Sequence, residues 1–225
     1  MQRTHYPDGK LKEEFTLIGG KMEGEYSLCH NNGKLWEEHT YVNGRKNGDS
    51  IMWYDNGQLH TECTYVNGKK HGIYKVWQYN GQFGVNCEAI KPWEEHTYVD
   101  GILNGDYKSW HDNGQLSTFC TYINGKLHGN YKTWYNNGQL CEKRTYVNDK
   151  YHGNYKAWYE NGQLWKEYTY VNGKIEGNYK MWHNNGQLIG EFNYVNGVYH
   201  GNYKLYHNNG QLIVEFNYVN GIRQE

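Results

Sequence analysis

Histidine, cysteine, lysine and glutamate are the residue types here that could carry chemistry, with twelve His and five Cys in 225 residues. His71, His128, His152 and His200 share one column, each directly before a glycine. A metal needs its ligands within bonds of about 2 Å, whereas a column that recurs once per two strands spaces its imidazoles roughly 10 Å apart. No metal site is expected. Cys29, Cys63, Cys87, Cys120 and Cys141 are odd in number and contain no Cys-x-x-Cys pair, which fits neither a disulfide framework nor structural zinc. Cys63 and Cys120 fall in a column that holds Phe15, Tyr168, Phe192 and Phe216 elsewhere, so they read as packing residues. Lys75, Lys108, Lys132, Lys156, Lys180 and Lys204 form another column. It is expected to face Glu38, Glu62, Glu167, Glu191 and Glu215, with Lys143 opposite Lys132 as a like-charge exception. Charge pairs repeated in every unit form a solvated ladder rather than a converging catalytic constellation. The glycines punctuate the chain at a fixed period and form no phosphate-cradling loop. No catalytic, cofactor-binding or metal-ligating residue is expected, no cofactor, and no enzyme.

What must position these residues is a β architecture. The chain has 24 Tyr, 9 Trp and 28 Gly but only two alanines, Ala89 and Ala157, a balance that favours strands broken by tight turns. The formal charge is −1, so no basic field invites nucleic acid, and membrane lipid is disfavoured for the same reason. Met1 to Lys10 has no apolar core, and no apolar run is long enough for a spanning helix. A reducing, cytoplasmic setting is expected.

An internal period settles the organisation. Asp/Asn-Gly pairs end at Gly9, Gly33, Gly57, Gly81, Gly114, Gly138, Gly162, Gly186 and Gly210, in steps of 24 residues with one of 33. A second turn series runs through Gly20, Gly44, Gly68, Gly101, Gly125, Asp149, Gly173, Gly197 and Gly221 with the same steps. Each unit is thus a hairpin of two strands. Asn-Gly turns of type I′ are expected, since that turn needs positive φ at both central positions. With Asn161-Gly162 central, Tyr159 faces Leu164, Trp158 faces Trp165, Lys156 faces Glu167, Tyr155 faces Tyr168 and Gly153 faces Tyr170. Units this small cannot bury an apolar face alone, so neighbours must supply the core. The expectation is one all-β domain over 1–225: an elongated single-sheet array of about nine antiparallel hairpins, roughly 18 strands at about 4.8 Å each.

Three irregularities stand out. The segment 84–92 accounts for the 33-residue step, and WEEHTYV at Trp93 to Val99 repeats Trp36 to Val42, so the array resumes in register. The first unit, 1–24, is degenerate. The last, 198–225, offers Ile213, Val214 and Phe216 on a strand expected to be an open edge, a site for homodimer pairing.

The run GNYKTWYNNGQLCEKRTYVN, Gly129 to Asn148, resembles the MORN-repeat variant, and nearly the whole chain follows its pattern. Asp149 in place of the turn glycine and Ser50 in place of the usual Tyr depart from it. Similar arrays occur in YwqK-like antitoxins and in giant DNA viruses of the Marseillevirus kind, whose texture the runs WEEHTYVNG and LWKEYTYVNG resemble. A viral origin would mean host cytoplasm or virion. The resemblance implies successive antiparallel hairpins serving docking or assembly, and it supplies no catalytic residues.

The function expected is therefore a non-catalytic scaffold for protein–protein interaction, with an unknown protein partner. The expected contact surface is an exposed aromatic column of Trp110, Trp134, Trp158 and Trp182, the insertion around Cys87, and the terminal edge at Ile213 and Phe216. The alternatives are a carbohydrate- or ligand-binding module built on the Trp and Tyr ladders, and antitoxin-like binding of a partner protein.

Overall fold

The computed structural model describes residues 1–79 and 92–225. The segment 84–92 lies outside the described residues except for Pro92. The chain is all-β, with no helix among the described residues. It falls into two compact units, Met1–Gly114 and Gln115–Glu225.

Each unit is an antiparallel meander in which a strand pairs with the one before it and the one after. In the second unit Leu140–Val147, Gly153–Trp158, Leu164–Val171, Lys174–Trp182, Leu188–Val195, Val198–Tyr206 and Leu212–Val219 follow one another in this way. In the first unit the strand Glu94–Val99 pairs with Lys69–Val76, with Glu95 opposite Lys75.

Two turn types alternate, each set by where the Asn side chain and the Gly backbone find partners. At Val-Asn-Gly both central residues are left-handed, Asn172 at φ 51° and Gly173 at 82°, the type I′ geometry that matches strand twist. At the Asn161-Gly162 turn only the glycine is left-handed, at 83°. The Asn161 carboxamide oxygen accepts the Gln163 N–H at 3.0 Å, holding Asn161 in ordinary backbone. Gly162 then donates to the Tyr159 carbonyl at 2.9 Å, and Tyr159 donates to that of Gln163 at 2.8 Å. The result is a four-residue turn with a bulge, not the type I′ turn expected there. Gly153↔Tyr170, Tyr155↔Tyr168 and Lys156↔Glu167 stand as the spacing predicts, but the bulge after Ala157 slips Trp158 onto Leu164 instead of Trp165.

A second bulge recurs at the strand glycines. Between Glu167↔Lys180 and Thr169↔Glu176 the single residue Tyr168 faces Gly177 to Tyr179, and Gly177 takes a φ of 76° that other residues resist. The offset brings Tyr168 and Tyr179 into a stack, 4.6 Å between centroids at 14°. Alternation then sorts the strands into two faces. One carries rings: Tyr155 stacks on Tyr168 at 4.5 Å, and Phe192 packs on Tyr203 at 4.6 Å. The other carries the Lys–Glu ladder, including Lys156–Glu167 at 2.8 Å and Lys204–Glu215 at 3.1 Å. These pairs are partly exposed and screened by solvent, so each contributes little.

With few aliphatics available, rings and small residues fill the interior. Cys63, Cys120, Tyr146, Ala157 and Phe192 are among the buried apolar groups. Gly190 is buried beneath this layer, and an added Cβ would lie 2.5 Å from Phe192 Cζ and 3.0 Å from the Lys204 carbonyl oxygen. Gly190→Ala is therefore expected to overpack the site and cost about 1–3 kcal/mol. Urea unfolding measures it, and an unchanged midpoint would mean that the Phe192 ring swings aside freely.

Candidate interaction surface

Repeat-to-repeat bonds come first, because they explain residues that look functional. The turn glycine of each repeat donates its N–H to a carbonyl of the preceding one: Gly173 to Tyr151, Gly197 to Ile175 and Gly221 to Tyr199, at 2.8–2.9 Å. The Asn before that glycine donates to a side chain twenty positions earlier. Glu176 receives Asn196 at 2.7 Å, Asn47 receives Asn67 at 3.2 Å, and His200 Nδ1 receives Asn220 at 3.4 Å. The histidine column is the same column, so His200 stands where Glu and Asn serve equally as acceptors. Asp149, in place of a turn glycine, keeps the bond to the Leu127 carbonyl at 3.0 Å and adds one, its Oδ1 accepting the Leu127 N–H at 2.8 Å.

Parts of the ring face are covered by the chain's own cations. The Arg144 guanidinium sits in the column that holds Tyr168 and Phe192 elsewhere, 4.2 Å over Tyr131 and 5.5 Å from both Tyr146 and Tyr151. It also bonds Glu142 at 2.8 Å. Lys70 lies 3.7 Å over Tyr74 and 5.4 Å from Tyr98. Ring faces covered in this way present little to an outside cation. Burial pushes the Tyr65 phenol up to about 12 and raises Tyr155, Tyr168 and Tyr194 as well, so these phenols stay neutral. The Cys29 and Cys63 thiols are raised by burial too, which disfavours the reactive thiolate.

The first unit holds a buried charge centre in this layer. Glu37 Oε1 lies 3.2 Å from His39 Nδ1 and 2.7 Å from Lys46 Nζ. The His39 contact first, and the Lys46 bond after it, hold the Glu37 carboxyl down at about 2, against 4.5 when free. A carboxylate whose folded value is depressed adds stability above pH 4.5 and loses it as pH falls toward 2. Denaturant midpoints are thus expected to drop over that window and to drop less in Glu37→Gln; equal acid sensitivity of the two proteins would exclude Glu37 as the cause.

The residues of the anticipated surface differ in exposure. Trp110, Trp134, Trp158 and Trp182 are half-buried, not an exposed column. Backbone of that column is engaged as well: the Tyr135 hydroxyl donates to the Trp158 carbonyl at 2.7 Å, and that of Tyr159 to Trp182 at 2.9 Å. Cys87 lies outside the described residues. Ile213 is exposed, whereas Phe216 is half-buried with the Arg223 guanidinium 3.6 Å over its ring. The strand Leu212–Val219 is paired on its outer side at Tyr218 and Val219, by Ile222–Arg223.

The regular exposed apolar feature is one that the sequence reading passed over. The residue before each type I′ turn that opens with Asn or Asp is Val42, Val66 and Val99 in the first unit, and Ile123, Val147, Val171, Val195 and Val219 in the second. All eight are 37–44% exposed. The recurring Tyr-Val/Ile-Asn-Gly string was the available signal. Each lies on the ladder face at the turn edge, four positions beyond the glutamate column. Among the described residues no three His, Cys, Asp or Glu side chains are grouped so as to hold a metal ion.

Hairpins held to their neighbours by recurring turn bonds, with columns repeating in step, define an open tandem β-hairpin repeat protein. The family model for the MORN repeat variant matches residues 22–43, 46–67, 103–124, 127–148, 151–172, 175–196 and 199–220, and the chain belongs to that family. The repeat type is a non-catalytic interaction scaffold. Seven of the nine units counted from turn spacing are matched; the unit before residue 22 and the one containing the 84–92 segment are not. No curated protein matches the chain.

Proposed function

We propose that this protein is a scaffold that binds partner proteins along the turn edge of its repeats, with the Val/Ile rail as the apolar strip of contact. The observation that supports this is the rail itself: one apolar side chain per repeat, in the same column, at the same partial exposure. A monomeric surface scatters its exposed apolar groups, whereas a periodic strip rimmed by polar turns has the composition of an interaction site. The outer edge of Leu212–Val219, with Ile213 exposed beside it, adds backbone groups for strand pairing, including pairing with a second copy. Antitoxin-like masking of a partner would be one form of the same activity.

The test is quantitative co-purification from source cells, comparing the wild type with the triple variant Val147→Glu, Val171→Glu and Val195→Glu. Proteins captured by the wild type and lost by a variant with unchanged thermal unfolding support the rail. An unchanged set of captured proteins overturns it. Glycan binding by the wild type that Trp134→Ala abolishes would replace this reading with recognition by the rings.

A further inference from the structure

The ladder face is not uniform, and its two defects are opposite in sign. In the first unit the lysine column is interrupted. Glu38 was expected to face a lysine, but its cross-strand partners are Ser27 on one side and Ile51 on the other. The physical reason is simple: the positions that hold Lys75 and Lys156 in later repeats hold Ser27 and Ile51 here. Exposed carboxylates therefore collect around one apolar side chain. Glu25, Glu38 and Asp49 line, with Ile51, Thr40 and His39, a depression of about 160 Å³. A neighbouring one of about 240 Å³ shares Glu25 and Glu38.

In the second unit the glutamate column is interrupted instead. Phe119 and Lys143 occupy glutamate positions, so Lys132 faces Phe119 on one side and Lys143 on the other, and Lys143 also faces Lys156. Lys156 is neutralised by Glu167. Lys132 and Lys143 have no ion-pair partner among the described residues, and Lys143 is exposed. The imbalance extends to whole units. Met1–Gly114 carries 12 Lys and Arg against 16 Asp and Glu, while Gln115–Glu225 carries 11 against 8. One unit is thus net −4 and the other net +3.

We propose that the acidic ladder face of the first unit binds the lysine-rich ladder face of the second unit of another copy of this chain. Three features point to a second copy as the occupant. The charges are complementary in sign at both the local and the unit scale, which steers encounter and fixes the choice of face. Each face has an apolar side chain next to its charges, Ile51 on the acidic side and Phe119 on the basic side, an arrangement of anchor and charged rim. The spacings also agree. Both strips are built on the same repeat, so glutamates Glu14, Glu38 and Glu62 step by two strands, about 10 Å, just as Lys132 and Lys156 do. A lysine entering the depression lays its methylene stem on Ile51 and its ammonium among Glu25, Glu38 and Asp49.

The two faces are different surfaces, so the contact is heterologous, with one copy's first unit on the next copy's second. It uses neither the valine rail nor the Leu212–Val219 edge, and uncharged rail variants such as Val147→Ser, Val171→Ser and Val195→Ser leave it intact.

Sedimentation velocity of the full chain tests it, at about 20 mM and about 500 mM salt, where the screening length falls severalfold. The wild type is expected to self-associate at low salt and to weaken at least tenfold at high salt. Lys132→Glu with Lys143→Glu, and separately Glu38→Lys with Asp49→Lys, are each expected to weaken association at least tenfold. An equal mixture of the two variants restores it, because each then meets a face of opposite sign. Circular dichroism confirms folding; if a double variant unfolds, Lys143→Glu and Glu38→Lys alone replace the pair. A wild type that stays monomeric at low salt, variants that associate as the wild type does, or a mixture that stays apart would each overturn the proposal.

Discussion

Tyr168→Ala is expected to destabilise the second unit by about 2–4 kcal/mol, in the range for removing a packed aromatic ring. The Tyr168 ring stands between Tyr155 at 4.5 Å and Tyr179 at 4.6 Å, and meets Tyr170 edge-on at 5.2 Å. Truncation breaks three ring contacts on three strands at once. Burial, then the neighbouring Tyr170 hydroxyl, raises the phenol well above its ordinary range, so the hydroxyl remains neutral. Tyr168→Phe removes only the hydroxyl and keeps the stack, so a much smaller loss is expected. Urea unfolding of the two variants separates ring from hydroxyl. Equal losses would show that the hydroxyl, rather than the stack, joins these strands.

The second large effect belongs to Arg144. Its side chain is 20% exposed and that of Glu142 is 18% exposed, so alanine leaves a half-buried carboxylate without its cation and an opening among Tyr131, Tyr146 and Tyr151. A loss of about 3 kcal/mol is expected, near the lower end for breaking a buried pair. Arg144→Lys keeps the charge but not the flat guanidinium that lies on the rings, and falls between. The next repeat shows how the same place is filled without arginine: Tyr168 with Lys166 two residues before it. Arg144→Tyr combined with Glu142→Lys is therefore expected to recover more than half of the stability lost by Arg144→Ala. A double variant as unstable as Arg144→Ala would mean that the environment is specific to the guanidinium and not a general ring position.

Much of this fold could be read from spacing, and the parts that could not share a physical cause. Period and alternation predict which residues face each other as long as the count across a turn is right, so Gly153↔Tyr170, Lys156↔Glu167 and Lys132↔Lys143 follow from the sequence alone. The Trp158 pairing did not, because turn type at Asn161-Gly162 depends on whether the Asn carboxamide bonds back to Gln163, and either choice suits the dipeptide. Exposure was harder still. Alternation divides a strand into two faces but does not say how much of either the neighbouring side chains cover. The Trp column looked exposed and is half-buried, while the plainer Val/Ile column carries the regular exposed apolar groups. The missing partner of Glu38 was legible in Ser27 and Ile51, but only when the lysine column is followed to its end rather than taken as continuous. The histidines illustrate the converse: their shared column was legible from the sequence, whereas the bond that His200 accepts from the Asn220 turn needed coordinates.

The glycine-to-carbonyl bonds between successive turns tie Gly173, Gly197 and Gly221 to the repeat before, 22 residues earlier, while equivalent positions recur every 24 residues. Within a unit, gene duplication or loss of one whole period would therefore present each strand with a neighbour of the kind it already has. A gain or loss of an odd number of residues inside a strand would bring rings against the charged ladder, whereas the nine additional residues at 84–92 leave Glu95 opposite Lys75. Such a chain can grow or shrink in evolution by whole steps without inventing a new interior, and single repeats can diverge at their surface columns while their edges stay interchangeable.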